Sequence, residues 1–349
     1  MKSPVLQKVL KGSAALVALG LAVCHPALAQ NTLSMSSWVP PHHGVTKAMV
    51  EWGQEVEKAT GGRVKFNLLS KHVSNPTGTF DSVRDGLADL SFSADGYTPG
   101  RFVLTKMAEM PFLGDSVEIT TIAYNRIHER RLVQANEHKG VRVLAVFTHG
   151  PGQIDMAKKA INSLADLQGM KIRVGGGMVH EIAKAIGANV LLKPAPEAYE
   201  LMSGGVVDGS FGPPEGIVSL NIGKATRFVT HIPGGLYNTS FAMLMNEERF
   251  AKLAKPDQDA ITKLSGEHFA RIIGKSWEQG DKGGWDAMKA NGIQVIIAND
   301  AMVKEVRERT SGIEQAWIKE AGGKGVDPGR ALAEFREEIR KVAAELGRK

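Results

Sequence analysis

The sequence predicts an α/β protein built as two similar lobes, and three observations carry that prediction. Apolar periodicity switches repeatedly between the two-residue repeat of a strand and the 3.6-residue repeat of a helix. Thirty-nine glycines against fifteen prolines imply many short connections between such elements. The pattern Gly-x-Ala/Val-Asp-x-Ser-Phe occurs twice, as Gly86-Leu-Ala-Asp-Leu-Ser-Phe92 and Gly205-Val-Val-Asp-Gly-Ser-Phe211, each time after a helical stretch. The two copies lie 119 residues apart, a domain-sized interval. They are read as equivalent strands that bring their Ser-Phe ends to a common cleft, because ligands in open α/β sheets sit beyond the carboxyl ends of the strands.

The elements follow in order. Leu33 and Met35 alternate with serines as a first strand; Val45, Ala48, Met49, Trp52, Val56 and Ala59 mark one helical face that stops at Gly61-Gly62; Val64, Phe66 and Leu68 alternate again. Further strands are expected over Leu87–Ser93, Val141–Phe147, Lys171–Val174, Asn189–Leu192, Val206–Phe211 and Phe241–Met245. Helices are expected over Met178–Ile186, closed by Gly187, and over Ala195–Met202. Such βαβ alternation predicts parallel or mixed sheets covered by helices on both faces. Residues 256–291 read as mainly helical, interrupted around Gly283-Gly284 and long enough to brace two lobes; 328–348 reads as a final amphipathic helix. With no low-complexity linker, the lobes are expected to be joined by crossing segments.

Residues 1–29 carry Lys2, Lys8 and Lys11 and no acid, then an apolar run from Ala14 to Val23, then Ala27-Leu28-Ala29 before Gln30. This is the pattern of a secretory signal peptide cut after Ala29, with an apolar run too short to span a bilayer. The remainder has 40 basic against 37 acidic side chains, a net +3 too small for a nucleic-acid footprint without a clustered basic face. The sole cysteine, Cys24, lies inside the signal, so disulfides, thiol catalysis and cysteine-held metals drop out. A lipid anchor on Cys24 is disfavoured by the branched Val23 before it.

The sequence carries none of the common enzyme signatures. His180-Glu181 is followed by Lys184 where a zinc-protease helix needs histidine. Gly150-Pro-Gly152 is followed by Asp155 where a dinucleotide turn needs glycine, and neither a phosphate loop nor a Gly-x-Ser-x-Gly elbow occurs. The strongest positive feature is a short strand, Lys171–Val174, that sets Arg173 beside the triple-glycine turn Gly175–Gly177 opening the next helix. Arg173 offers a planar fork suited to a carboxylate, and the turn and helix N-terminus offer backbone N–H groups to the same anion. The alternative is a structural arginine paired with an acid. On the first lobe, Trp38 offers a flat wall with one N–H, and His42 and His43 can donate to a carboxylate or hydroxyl or else sit on the surface at a helix start. Ser93 and Asp95 follow the first Ser-Phe copy, where Asp95 equally caps a turn. Asn238, a donor or a turn residue, stands at the crossover back to the first lobe.

Several of these motifs, in this order, resemble one family. Gly-Gly-Arg63-Val, Glu109-Met-Pro111-Phe112-Leu, Asp166-Leu-x-Gly-Met-Lys-Ile-Arg173-Val and Glu197-x-Tyr199-Glu-Leu-Met-x-Gly-Gly-Val-Val-Asp208-Gly209 are similar to the extracytoplasmic solute receptors of TRAP transporters, from Asn31 to about Gly347. The resemblance implies a type II-like periplasmic binding protein whose lobes, 31–150 with 239–278 and 151–238 with 279–349, close by a hinge over an organic acid. It also implies a long bracing helix, membrane transporter subunits as partners, no cofactor or resident metal, and Arg173 as the carboxylate anchor. Two departures bear on the ligand. Gln153 stands where sialic-acid-binding members carry a second arginine, and Ser210-Phe211-Gly212-Pro-Pro-Glu215 replaces the usual polar side chain after Val-Asp-Gly with Gly212, with Phe211 turned toward the pocket or the core. Fewer compensating groups for a second carboxylate favour a monocarboxylate with an apolar or aromatic body. The rival readings are a 2-oxo acid receptor with a cation held by Gln153 and Glu215, a secreted α/β hydrolase, and a sensor that uses the same pocket.

Overall fold

A computed structural model describes residues 30–348, so the signal segment with Cys24 lies outside the described residues. The strands are β1 (Asn31–Met35), β2 (Val64–Leu68), β3 (Leu90–Ala94), β4 (Val141–Thr148), β5 (Gln153–Met156), β6 (Lys171–Val174), β7 (Asn189–Leu192), β8 (Gly209–Gly212), β9 (Phe228–His231), β10 (Ser240–Asn246) and β11 (Gln294–Ile297). They form two mixed sheets, β2-β1-β3-β10-β4 and β11-β9-β5-β8-β6-β7. The chain crosses between them after β4, after β9 and through the helix Glu267–Ala290 that precedes β11. No helix among the described residues is long and apolar enough to cross a membrane.

The two sheets repeat one plan. β3 lies between parallel β1 and antiparallel β10, as β8 lies between parallel β6 and antiparallel β5. The repeated sequence pattern occupies equivalent places, and each of its residues has a mechanical reason. Gly86 and Gly205 take left-handed φ values of 77° and 67°. The next residues, Leu87 and Val206, donate back across the turn to Ser82 and Leu201, which ends the preceding helix in a Schellman-type cap. Pairing therefore starts at Leu90 and Gly209 instead of Leu87 and Val206, because the intervening residues are consumed by the cap. The repeated aspartates stitch the strands together: Asp89 accepts from the Ser34 amide of β1 at 2.7 Å and Asp208 from the Lys171 amide of β6 at 2.8 Å.

Three expectations are corrected. The helix Glu267–Ala290 runs unbroken through Gly283-Gly284 and is preceded by a separate helix, Lys255–Leu264. The glycine at 284 serves close approach instead: a Cβ there would stand 2.0 Å from the Pro214 carbonyl oxygen. The division at 278/279 falls inside this helix. Finally, segment 279–349 does not stay with the second sheet throughout. Trp317 donates to the Val103 carbonyl at 2.8 Å, the ring of Phe335 lies 6.2 Å from Tyr124, and Arg126 pairs with Glu338 and Glu345 at 3.0 and 2.9 Å. The apolar stripe of the helix Pro328–Glu345 is covered by the helix Val117–Ile127 on the first-lobe side, and it thus clasps the lobe opposite to the one expected.

A closed cleft with one uncompensated guanidinium

The carboxyl ends of both sheets face each other across a small cavity. Trp38, Phe92, Phe241 and Trp277 wall it on one side and Arg173, Phe211 and Gly212 on the other, with Tyr237 and His149 from the crossing segments. Arg173 leaves β6 next to β8, where its Nε donates to the Lys193 carbonyl at 2.7 Å and its Nη1 to the Phe211 carbonyl at 3.1 Å. Nη2 has no hydrogen-bond partner among the described residues, nor does any carboxylate there lie at ion-pair distance, although Arg173 is only 3% exposed. A buried guanidinium oriented by neutral carbonyls, with one face open to a cavity, is a site for an anion. In register across the sheet, Asp155 stands opposite Ser210 and Ser210 opposite Arg173. Burial pushes the Asp155 carboxyl well above its ordinary range, with Arg173 opposing the shift.

The second unpartnered donor is Trp277, whose buried indole N–H has no acceptor among the described residues. Neither Trp277 nor Tyr237 nor His149 is singled out by the sequence. The helical stretch containing Trp277 shows no sign of which face meets the cleft, and Tyr237 and His149 lie in crossing segments without periodicity. Trp38 does form a wall, its ring 4.6 Å from that of Phe92 and tilted by 30°, but its N–H is spent on the Phe92 carbonyl at 3.0 Å. Phe211 is fully buried and lines the cavity, with its ring centroid 6.3 Å from that of Tyr237.

Other candidates are placed elsewhere. Gln153 is buried with its amide donating to the Pro151 carbonyl at 2.6 Å and its oxygen accepting from His231 at 2.9 Å, beside a separate groove that Asp115 and Val117 also line. Ser93 donates to Asp95 at 3.4 Å, and Asp95 accepts from His138 at 3.3 Å, so both point into the first lobe. Asn238 is buried, its Oδ1 has no partner among the described residues, and it does not line the cavity, although Tyr237 and Thr239 on either side do. The helix N-terminus that follows the glycine turn is not free either. Met178, at the start of the helix Met178–Ala185, donates its N–H at 2.7 Å to Glu109, which also accepts from the Ser240 amide at 3.0 Å. The anion expected at that helix N-terminus is therefore the protein's own carboxylate, and burial pushes its pKa up to about 7.

His42 and His43 act between the lobes. His43 caps the helix Gly44–Ala59 through Nδ1, which accepts from Val45, so its Nε2 carries the proton and donates to Glu215 at 3.1 Å across the cleft. Glu215 also accepts from Ser219, and His42 donates to the Ser219 carbonyl at 3.3 Å. Serine, carboxylate and histidine meet here, but the carboxylate lies between the other two, whereas a nucleophile needs the imidazole on its hydroxyl. Nor do Gln153 and Glu215 converge as a cation-holding pair. Tyr97 accepts from the Ala195 amide at 2.9 Å, which adds a further tie that holds the lobes together.

The family model of the bacterial extracellular solute-binding proteins, family 7, matches residues 35–320. The chain is 32% identical over 311 residues to the outer membrane transporter protein TsaT of Comamonas testosteroni, covering 88% of this chain and 91% of that protein. Among solved structures, a TRAP periplasmic solute-binding protein of Bordetella bronchiseptica with bound (R)- and (S)-mandelate superposes with a TM-score of 0.87 at 47% identity, over 89% of this chain and 99% of that one. One from Rhodoferax ferrireducens, in complex with copurified benzoate, gives 0.84 at 26% identity, over 90% and 99%. A two-lobed α/β fold agrees with these likenesses, and the chain belongs to the family 7 solute-binding proteins, the extracytoplasmic receptors of TRAP-type transport.

Proposed function

We propose that the cleft captures a monocarboxylate with an aromatic or otherwise apolar body and that the receptor, acting in the periplasm, delivers it to membrane transporter subunits. The carrying observation is the single uncompensated guanidinium of Arg173 in a cavity walled by aromatic rings. Among the described residues, Arg173 is the only lysine or arginine of that wall. A second ligand carboxylate would meet aromatic faces and the Glu215 carboxylate, where an unpaired charge is costly. The relatives with bound mandelate and benzoate support the same ligand class. The role is binding without turnover, and Arg173 together with Trp277 supplies the donors for the carboxylate.

Thermal shift and calorimetry of the mature, ligand-stripped protein test this, because selective binding to the folded state raises the transition temperature. A rise with benzoate, phenylacetate or mandelate and none with succinate or malate is expected. A rise with the C4-dicarboxylates overturns the ligand class, and no rise with any acid overturns the acid-receptor reading. Binding should survive dialysis against chelator in sodium-free buffer; its loss there would restore the cation-assisted alternative.

A further inference from the structure

His149 follows β4 at the first crossing between the lobes and lines the cavity, where it takes no part in holding the anion. Its ring is buried in an aromatic cage, 5.3 Å from Tyr237, 6.0 Å from Phe241 and 6.1 Å from Trp277 between centroids. Nδ1 is paired with the carbonyl of Gly150. A carbonyl only accepts, so Nδ1 carries the proton, and in the neutral ring Nε2 is then a bare lone pair. Among the described residues Nε2 has no partner. The charged and titratable groups around the ring are Glu215 and Arg173, which act on it in opposite directions, and Asp281, whose carboxylate packs against Gly150. Burial dominates and keeps the imidazole neutral, with its pKa pushed down to about 4.

The rest of the polar wall offers donors. Arg173 Nη2 and Trp277 Nε1 can only donate, each Glu215 oxygen already accepts from His43 or Ser219, and the hydroxyls of Tyr237 and Thr239 can turn either way, which leaves His149 Nε2 as an acceptor-only atom with no donor among the described residues. A carboxylate consumes donors and has nothing to give to a lone pair. We infer that His149 reads a hydroxyl on the acid: the ligand is an aromatic hydroxy acid whose O–H donates to His149 Nε2 while its carboxylate rests on Arg173. The inference rests on the acid-receptor reading above and narrows it from aromatic acids in general to those with a hydrogen-bond donor on the body.

Calorimetry with three probes tests it: mandelate, phenylacetate, which lacks the hydroxyl, and O-methylmandelate, which keeps the oxygen but not the proton. A site built around a hydrogen bond discriminates against the analogue that lacks it, so the wild type should bind mandelate about tenfold or more tighter than either of the others. In His149→Phe the three should come within about twofold of one another, as the acceptor is gone and the cage is kept. Equal affinity of wild type for mandelate and phenylacetate overturns the inference and leaves the aromatic-acid reading standing. A mandelate preference that persists in a folded His149→Phe, or O-methylmandelate binding as tightly as mandelate, overturns it as well. If none of the three binds, the acid-receptor reading fails and takes the inference with it. The wild-type arm needs no variant, so the inference stays testable even if His149→Phe does not fold.

Discussion

At the scale of single residues, the cleft works by leaving donors unsatisfied in a place where water is scarce. Arg173→Ala removes the charge-assisted contacts to a buried carboxylate and should weaken binding of benzoate or mandelate by about 2 to 5 kcal/mol. Arg173→Lys should recover only part of this, because Nε and Nη1 of the arginine are tied to the Lys193 and Phe211 carbonyls and a point charge cannot hold those bonds while facing the ligand. Calorimetry on both variants checks the order. Gly212→Ala probes the cavity without disturbing the fold. Its Cβ would meet nothing nearer than Asp155 Oδ2 at 3.7 Å, an ordinary contact, so thermal stability should hold within about 0.5 kcal/mol while affinity falls more for bulky aromatic acids than for small ones. Arg173 and Phe211 were legible from a strand ending in a glycine turn and from a repeated motif. Gln153 was not: a polar residue that opens a strand looks the same whether its amide faces ligand or is consumed by Pro151 and His231.

At the scale of elements, the sheets were more legible than the cleft. Strand and helix periodicities report burial against the element's own lobe, and β6 and β7 run over the residues that periodicity predicts. Contacts between lobes have no period. The triple-glycine turn is an example, since its glycines point to a close approach but not to what approaches. In the structure Gly176, at φ 97°, faces Gly96 of the other lobe, and a Cβ there would stand 2.3 Å from the Gly96 carbonyl oxygen. Gly176→Ala should therefore block closure, lowering ligand affinity by about tenfold or more and abolishing the ligand-induced compaction seen by small-angle scattering. Gly169→Ala is the control. That residue also has a positive φ, 76°, but a Cβ there would meet nothing within 4 Å, so it carries backbone strain without the clash. Equal losses in the two variants would assign the effect to strain and remove the Gly96–Gly176 contact from closure. Helix packing was likewise hidden: the stripe of Leu332, Phe335 and Val342 declares a buried face without declaring which lobe buries it.

At the scale of the whole molecule, the buried ionisable groups make stability depend on pH in two opposed ways, and single variants separate them. The imidazole of His149 has an ordinary pKa of 6.5 and is pushed down to about 4 in the fold by burial. Between these values the unfolded chain binds more protons than the folded one, so the stability associated with neutral His149 is complete above 6.5 and is lost as pH falls toward 4. His128, pushed down to about 3 by burial and then by His138, acts in the same sense. Glu109 acts in the opposite sense, because burial raises its carboxyl from 4.5 to about 7. Between those values the folded chain holds the extra proton, and that contribution favours the fold at low pH and disappears as pH rises through about 7. The wild-type profile sums these three with the other shifted groups, Asp155 and Asp281 among them, but the difference between wild type and His149→Phe isolates the first. Denaturant unfolding of the two proteins at pH 7.5 and pH 5 should show the wild type losing about 2 kcal/mol more than the variant over that interval. Parallel profiles would mean that His149 titrates normally in the fold, in which case its Nε2 is protonated in acid and no longer an obligatory acceptor there.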